Sequence, residues 1–103
     1  DTVIGEGSKL DCQIQIGHGV QIGKQCLIAA QVGIAGNTII GNQVTIYGQV
    51  GIGQNLNIGD KAILLATTAV SKDLEGGKTY FGIPAMEATK YARQLAMLRN
   101  LGG

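Results

Sequence analysis

Gln15-Ile-Gly-His18-Gly-Val-Gln-Ile-Gly23, followed shortly by Ile28-Ala-Ala-Gln-Val-Gly-Ile-Ala-Gly36, returns an aliphatic residue every six positions. Counted outward, the period runs through Ile4, Leu10, Ile16, Ile22, Ile28, Ile34, Ile40, Ile46, Ile52, Ile58, Leu64 and Val70. The fifth position of each hexad is small or aliphatic: Ser8, Ile14, Val20, Cys26, Val32, Thr38, Val44, Val50, Leu56, Ala62, Thr68 and Leu74. Neither a helical period of 3.6 nor plain alternation gives this pattern. A short strand and a tight bend every six residues does, with the first position inward and glycine at the bend. Three hexads close a triangular coil, so residues eighteen apart stack. About four coils, at about 4.8 Å per strand spacing, stand on the order of 19 Å tall. A sandwich of hairpins would need turn signals every 8–12 residues or so, and the hexads do not supply that spacing.

The bulk properties agree with a packed repeat. There are 17 glycines and one proline, but glycine alternates with Ile and Val at a fixed period, which a flexible tract does not require. Eight Lys and Arg against seven Asp and Glu give no general polyanion-binding surface, so no nucleic acid is expected. No apolar run is long enough for a transmembrane segment and no secretory leader is recognisable, so the expected location is cytoplasmic. Cys12 and Cys26 have neither metal-ligand spacing nor a disulfide framework.

Stacking by eighteen predicts three outer faces. One carries Glu6/Gly7, Lys24/Gln25, Asn42/Gln43 and Asp60/Lys61, a solvent face. The next carries Cys12/Gln13, Ala30/Gln31, Gly48/Gln49 and Ala66/Thr67, with Ala29, Tyr47 and Leu65 at its leading corner and Leu27 and Ile63 pointing outward. An apolar stripe of this kind marks an assembly surface, and the simplest partner is another copy. The third carries His18/Gly19, Gly36/Asn37, Gln54/Asn55 and Lys72/Asp73. A lone histidine is as readily a surface or capping residue as a base. Its neighbour one coil above, Gly36, offers an unobstructed backbone N–H, and an imidazole beside a bare amide donor suits acyl transfer.

These runs, with Gly48-Gln-Val-Gly-Ile52 and Phe81-Gly-Ile-Pro-Ala-Met86, resemble the C-terminal half of the UDP-3-O-acylglucosamine N-acyltransferases of bacterial lipid A, and hence lipopolysaccharide, biosynthesis. The resemblance implies a left-handed parallel β-helix, although parallel crossovers are normally right-handed. It also implies a homotrimer with active sites between subunits. An acyl carrier protein presents a 3-hydroxyacyl thioester on its phosphopantetheine arm, and the 2-amino group of the UDP-sugar lipid precursor attacks it. His18 matches the family's general base, Gly36 its backbone oxyanion donor, and Gln15 a residue lining the cleft; Gln54 and Asn55 continue that cleft. No metal and no resident cofactor are implied. The family usually has Asn where this chain has Gly19, a second histidine where it has Gln54-Asn55, and Asn at Cys12. Base and donor are unchanged by these departures; the grip on substrate phosphate or amine is altered.

The family's N-terminal uridine-binding domain is not in this sequence, and the chain opens inside a hexad at Asp1-Thr-Val-Ile4 without the cap a solenoid normally carries. Part of a longer enzyme is therefore expected. The repeat is expected to fill residues 1–76, with a turn and helix over 77–103. Gly82-Ile-Pro84 is expected to be a turn, with Pro84 at or near the first turn of a helix from Ala85 to about Leu101. Tyr91, Leu95 and Leu98 form its apolar face, expected to dock on the repeat or a neighbouring subunit. Lys90, Arg93 and Arg99 are candidate contacts for the acidic carrier protein beside the cleft. The alternatives are another hexapeptide-repeat acyltransferase, such as an O-acyltransferase of the same pathway, and a non-catalytic trimeric scaffold. A γ-class carbonic anhydrase needs three histidines around zinc, and this chain has one.

Overall fold

The inward aliphatic at each hexad's first position and the small residue four places later leave only two residues per hexad fully extended. In the computed structural model, which describes residues 1–102 with side chains through Asn100, twelve such two-residue strands follow one another. They are β1 (Val3–Ile4), β2 (Lys9–Leu10), β3 (Gln15–Ile16), β4 (Gln21–Ile22), β5 (Leu27–Ile28) and β6 (Gly33–Ile34). The second six are β7 (Ile39–Ile40), β8 (Thr45–Ile46), β9 (Gly51–Ile52), β10 (Asn57–Ile58), β11 (Ile63–Leu64) and β12 (Ala69–Val70). They sort into three parallel sheets, β1-β4-β7-β10, β2-β5-β8-β11 and β3-β6-β9-β12, one per side of a triangular prism. Register pairs such as Gln21 with Ile39 and Ile34 with Ile52 lie eighteen residues apart. The repeat of about four coils is as expected.

The core is the stack of inward residues. Ile22, Ile28, Ile34, Ile40, Ile46, Ile52, Ile58 and Leu64 are buried, as are the fifth-position Val20, Cys26, Val32, Val44, Val50 and Ala62. Each large aliphatic so removed from water contributes about 1.5–3 kcal/mol. Fifth-position hydroxyls and a thiol satisfy the bend carbonyl fifteen residues on: Ser8 Oγ donates to Gly23 O (2.7 Å), Thr38 Oγ1 to Gly53 O (2.7 Å) and Cys26 Sγ to Gly41 O (3.1 Å).

The outward column pairs expected as faces are the prism's corners. They sit in the turns between strands, and in every pair but Lys72/Asp73 the second residue is left-handed: Gln13, Gln25, Gln31, Asn37, Gln43, Gln49, Asn55, Lys61 and Thr67 all have φ between 57° and 64°. Such a φ costs a non-glycine residue on the order of 1 kcal/mol. Amide-to-amide stacking offsets part of it, with Gln49 Nε2 donating to Gln31 Oε1 (3.0 Å) and Gln31 Nε2 to Gln13 Oε1 (3.3 Å). The flat sides belong to the residue before each inward aliphatic.

Three expectations fail at the C-terminal end. Leu74, read as the fifth position of the hexad begun at Val70, instead bridges Ile58 sixteen residues back, because the turn after Val70 is two residues short. The repeat does not stop at 76: β13 (Thr79–Phe81) stacks on β11 with Tyr80 beside Leu64, again at sixteen. The helix, α1, spans Ala88–Gly102 and does not begin at Ala85. Pro84, on a cis bond from Ile83, lies in a turn leading to β14 (Met86–Glu87), which pairs antiparallel with β13. Ala85 N–H donates to Ala69 O (2.8 Å) and Ala85 is buried, so tertiary hydrogen bonds hold this segment out of the helix. The expected end of the terminal element at Gly103 lies outside the described residues.

Candidate functional site

His18 occupies the corner between β3 and β4, presented by Gly17 and Gly19. Gly19 takes φ 73°, the left-handed position that Gln or Asn fills at most other corners. A Cβ there would meet Asn37 Oδ1, so the glycine makes room for the Asn37 amide above it. His18 is exposed, and its backbone carbonyl accepts from Asn37 N–H (2.9 Å). Gly36 lies directly over it, near enough that a Cβ on Gly36 would stand 3.1 Å from His18 O.

The Gly36 N–H donates to nothing among the described residues, while its carbonyl accepts from Asn55 N–H (3.0 Å). At the first corner the equivalent amides are capped: Lys24 N–H donates to Asn42 Oδ1 and Asn42 N–H to Asp60 Oδ1, both at 2.8 Å. The third corner thus brings an exposed imidazole and an open amide together, which is the pairing acyl transfer needs: a base for the attacking amine and a donor for the developing oxyanion.

Gln54 and Asn55 sit one coil above Gly36 on this corner and are exposed. Gln15 stands outward on the adjoining side, where Gly33, Gly51 and Ala69 continue its column. Together with Gly17 and Ala35 they line an open trough of ≈ 610 Å³ running up the prism beside His18. The trough was not among the expected features, although its signal, the small residues before Ile34, Ile52 and Val70, is present in the repeat.

The basic residues are elsewhere. Tyr91 packs edge-on against Phe81, with ring centroids 4.9 Å apart, and seats α1 on β13 and β14. Beyond it Leu95, Met97 and Leu98 are exposed, so of the expected docking face only Tyr91 is covered within the chain. The molecule measures 51 × 22 × 22 Å, with α1 at the end of the prism and not beside His18. Lys90 borders a recess with Lys72, Asp73, Lys78 and Glu87, whereas Arg93 and Arg99 are exposed further along α1. Lys72 is itself three coils above His18, about 14 Å along the axis. Leu27 and Tyr47, on the side and corner expected for assembly, are about half exposed; Ile63 and Leu65 are half-buried.

Residues 1–36 match the family of bacterial transferase hexapeptide (six repeats). Over 96 residues, 93% of the chain, it is 70% identical to UDP-3-O-acylglucosamine N-acyltransferase of Rhizobium etli, and it spans 27% of that protein's length. A solved UDP-N-acetylglucosamine O-acyltransferase from Moraxella catarrhalis superposes with a TM-score of 0.81 at 30% identity, covering 90% of this chain and 38% of that one. A serine acetyltransferase from Neisseria gonorrhoeae gives a TM-score of 0.81 at 25% identity, covering 84% and 37%. These neighbours are left-handed β-helix acyltransferases, and the coil shares their winding. The chain therefore carries the hexapeptide repeat of the bacterial transferases over residues 1–36, and over 93% of its length it is similar to UDP-3-O-acylglucosamine N-acyltransferase.

Proposed function

We propose that the protein carrying this chain transfers a 3-hydroxyacyl group from acyl carrier protein to the 2-amino group of UDP-3-O-acylglucosamine. The observation that carries this reading is the free Gly36 amide stacked over exposed His18, in a sequence 70% identical to an enzyme of that name. His18 takes the proton as the amine adds to the thioester carbonyl. Gly36 N–H steadies the resulting oxyanion, and collapse expels the carrier's thiolate.

In this reading Gln15, Gln54 and Asn55 hold the sugar nucleotide and its acyl chain, and the trough beside Gln15 is the bed for an extended chain. Three copies assemble through the Leu27 and Tyr47 side, and a second subunit completes each cleft. Lys90, Arg93 and Arg99 at the helical end attract the acidic carrier. Its long, flexible arm then bridges the separation along the prism. The reaction takes place in the cytoplasm and needs no resident cofactor.

The test is transfer from a 3-hydroxyacyl carrier protein to UDP-3-O-acylglucosamine by the full-length protein, with His18→Ala as control. Loss of about 10²-fold or more in kcat on that substitution is expected. Undiminished turnover would remove His18 from the chemistry, and no turnover in the unsubstituted protein would favour a non-catalytic scaffold.

A further inference from the structure

We propose that residue 54 decides whether the Gly36 amide is open: Gln54 leaves the N–H free, and an asparagine in its place would cap it. Gln54 is in this sense a positioning residue acting through Gly36. The fold itself supplies the precedent. At the first corner, two turn amides are capped by a side-chain oxygen of a short residue eighteen positions on, Asn42 for Lys24 and Asp60 for Asn42. The residue eighteen beyond Gly36 is Gln54, on the same corner and in the same turn position.

Gln54 is one methylene longer than Asn42, and longer by the same amount than the carboxylate side chain of Asp60. Gln54 makes no hydrogen bond to Gly36, and we attribute this to the extra length, which would carry its carbonyl past the amide below. The second corner cannot cap its amides this way, because Gly48 and Ala66 have no acceptor. Position 54 is thus where one carbon atom separates an amide sealed as structure from an amide offered to a ligand. A capped N–H would have to break an existing bond before stabilising an oxyanion, and losing one such donor costs about 10²–10³-fold in kcat.

The chemical half of this inference rests on the acyl-transfer reading; the structural half does not. The experiment compares Gln54→Asn and Gln54→Ala in the full-length protein, measuring Gly36 amide hydrogen exchange, kcat, KM and Tm. Gln54→Ala separates any direct substrate contact of the side chain from its effect on the amide. The expected result for Gln54→Asn is exchange at Gly36 slowed at least tenfold and kcat at least thirtyfold below that of Gln54→Ala. Its Tm should equal or exceed that of the unsubstituted protein. Unslowed exchange would overturn the capping claim and leave the functional reading intact. Slowed exchange with kcat equal to that of Gln54→Ala would instead remove Gly36 as the oxyanion donor.

Discussion

A Cβ built on Gly17 would stand 2.6 Å from the backbone nitrogen of Gly36. The peptide that ends at Gly36 therefore lies flat on the bare Cα of the residue before His18. Position 17 has no left-handed φ to explain its glycine, so space is the reason. One backbone contact fixes the open amide relative to the exposed imidazole.

Gly17→Ala should push that peptide outward by tenths of an ångström. Overpacking of this kind costs about 1–3 kcal/mol wherever it occurs. Gly23→Ala is the matched control, since its Cβ would meet Gly41 O at 2.5 Å on a corner without His18. The two variants should lose similar stability, but Gly17→Ala alone should lose 10-fold or more in kcat, roughly half in free energy of a donor deletion. Equal kcat in the two would show that the contact matters only for folding.

Two buried threonines should respond oppositely to removal of the hydroxyl. Thr38 Oγ1 donates to Gly53 O (2.7 Å) and accepts from Leu56 N–H (3.3 Å), so Thr38→Val should cost about 1–3 kcal/mol in urea unfolding. Thr68 Oγ1 has no partner, because fifteen residues on the chain has left the prism in the turn at Ile83. Thr68→Val should be neutral or stabilising by up to about 1 kcal/mol. A loss on Thr68→Val as large as at Thr38 would contradict this account.

The cap formed by β13 and β14 should loosen at both extremes of pH. Lys78 Nζ reaches Glu75 Oε2 at 2.8 Å and Glu87 Oε1 at 3.3 Å. Its hydrogen bond to Glu75 holds the Glu75 carboxyl below the ordinary value of 4.5, and the same bond raises the Lys78 ammonium above 10.5. The lowered carboxyl contributes stability above its unfolded pKa, lost as pH falls through the folded value. The raised ammonium contributes below its unfolded pKa, lost as pH rises through the folded value. Hydrogen exchange at Met86 and Glu87 should accelerate, after correction for intrinsic rates, below about pH 4.5 and above about pH 10.5. In Lys78→Met the acid dependence should vanish, whereas part of the alkaline one should remain, because burial raises the Tyr80 phenol above its ordinary 10.0 and its ionisation also loosens β13.

Tyr91 is the one aromatic hold of α1 on the prism. Tyr91→Ala should free the helix, lowering helicity by circular dichroism with little change in the unfolding of the repeat. A loss of repeat stability comparable to that of a core Ile→Ala, about 2–5 kcal/mol, would mean that α1 is integral to the core.

The sequence by itself determined the coil, because an inward aliphatic every six residues admits only one way to bury the first-position Ile of each hexad from Ile22 to Ile58. It also placed His18 under Gly36, since eighteen-residue stacking follows from that period alone. It misplaced the outward pairs, because a two-residue strand leaves the polar pairs in the corners and the preceding residue on the flat sides. Only the tertiary structure decided where the period breaks. The two residues missing after Val70, the pairing of Tyr80 with Leu64 and the anchoring of Ala85 on Ala69 are long-range hydrogen-bond choices with no local signal. The same holds for the open Gly36 amide. Whether an N–H is free depends on what a side chain eighteen residues away can reach, a matter of one methylene that periodicity does not express.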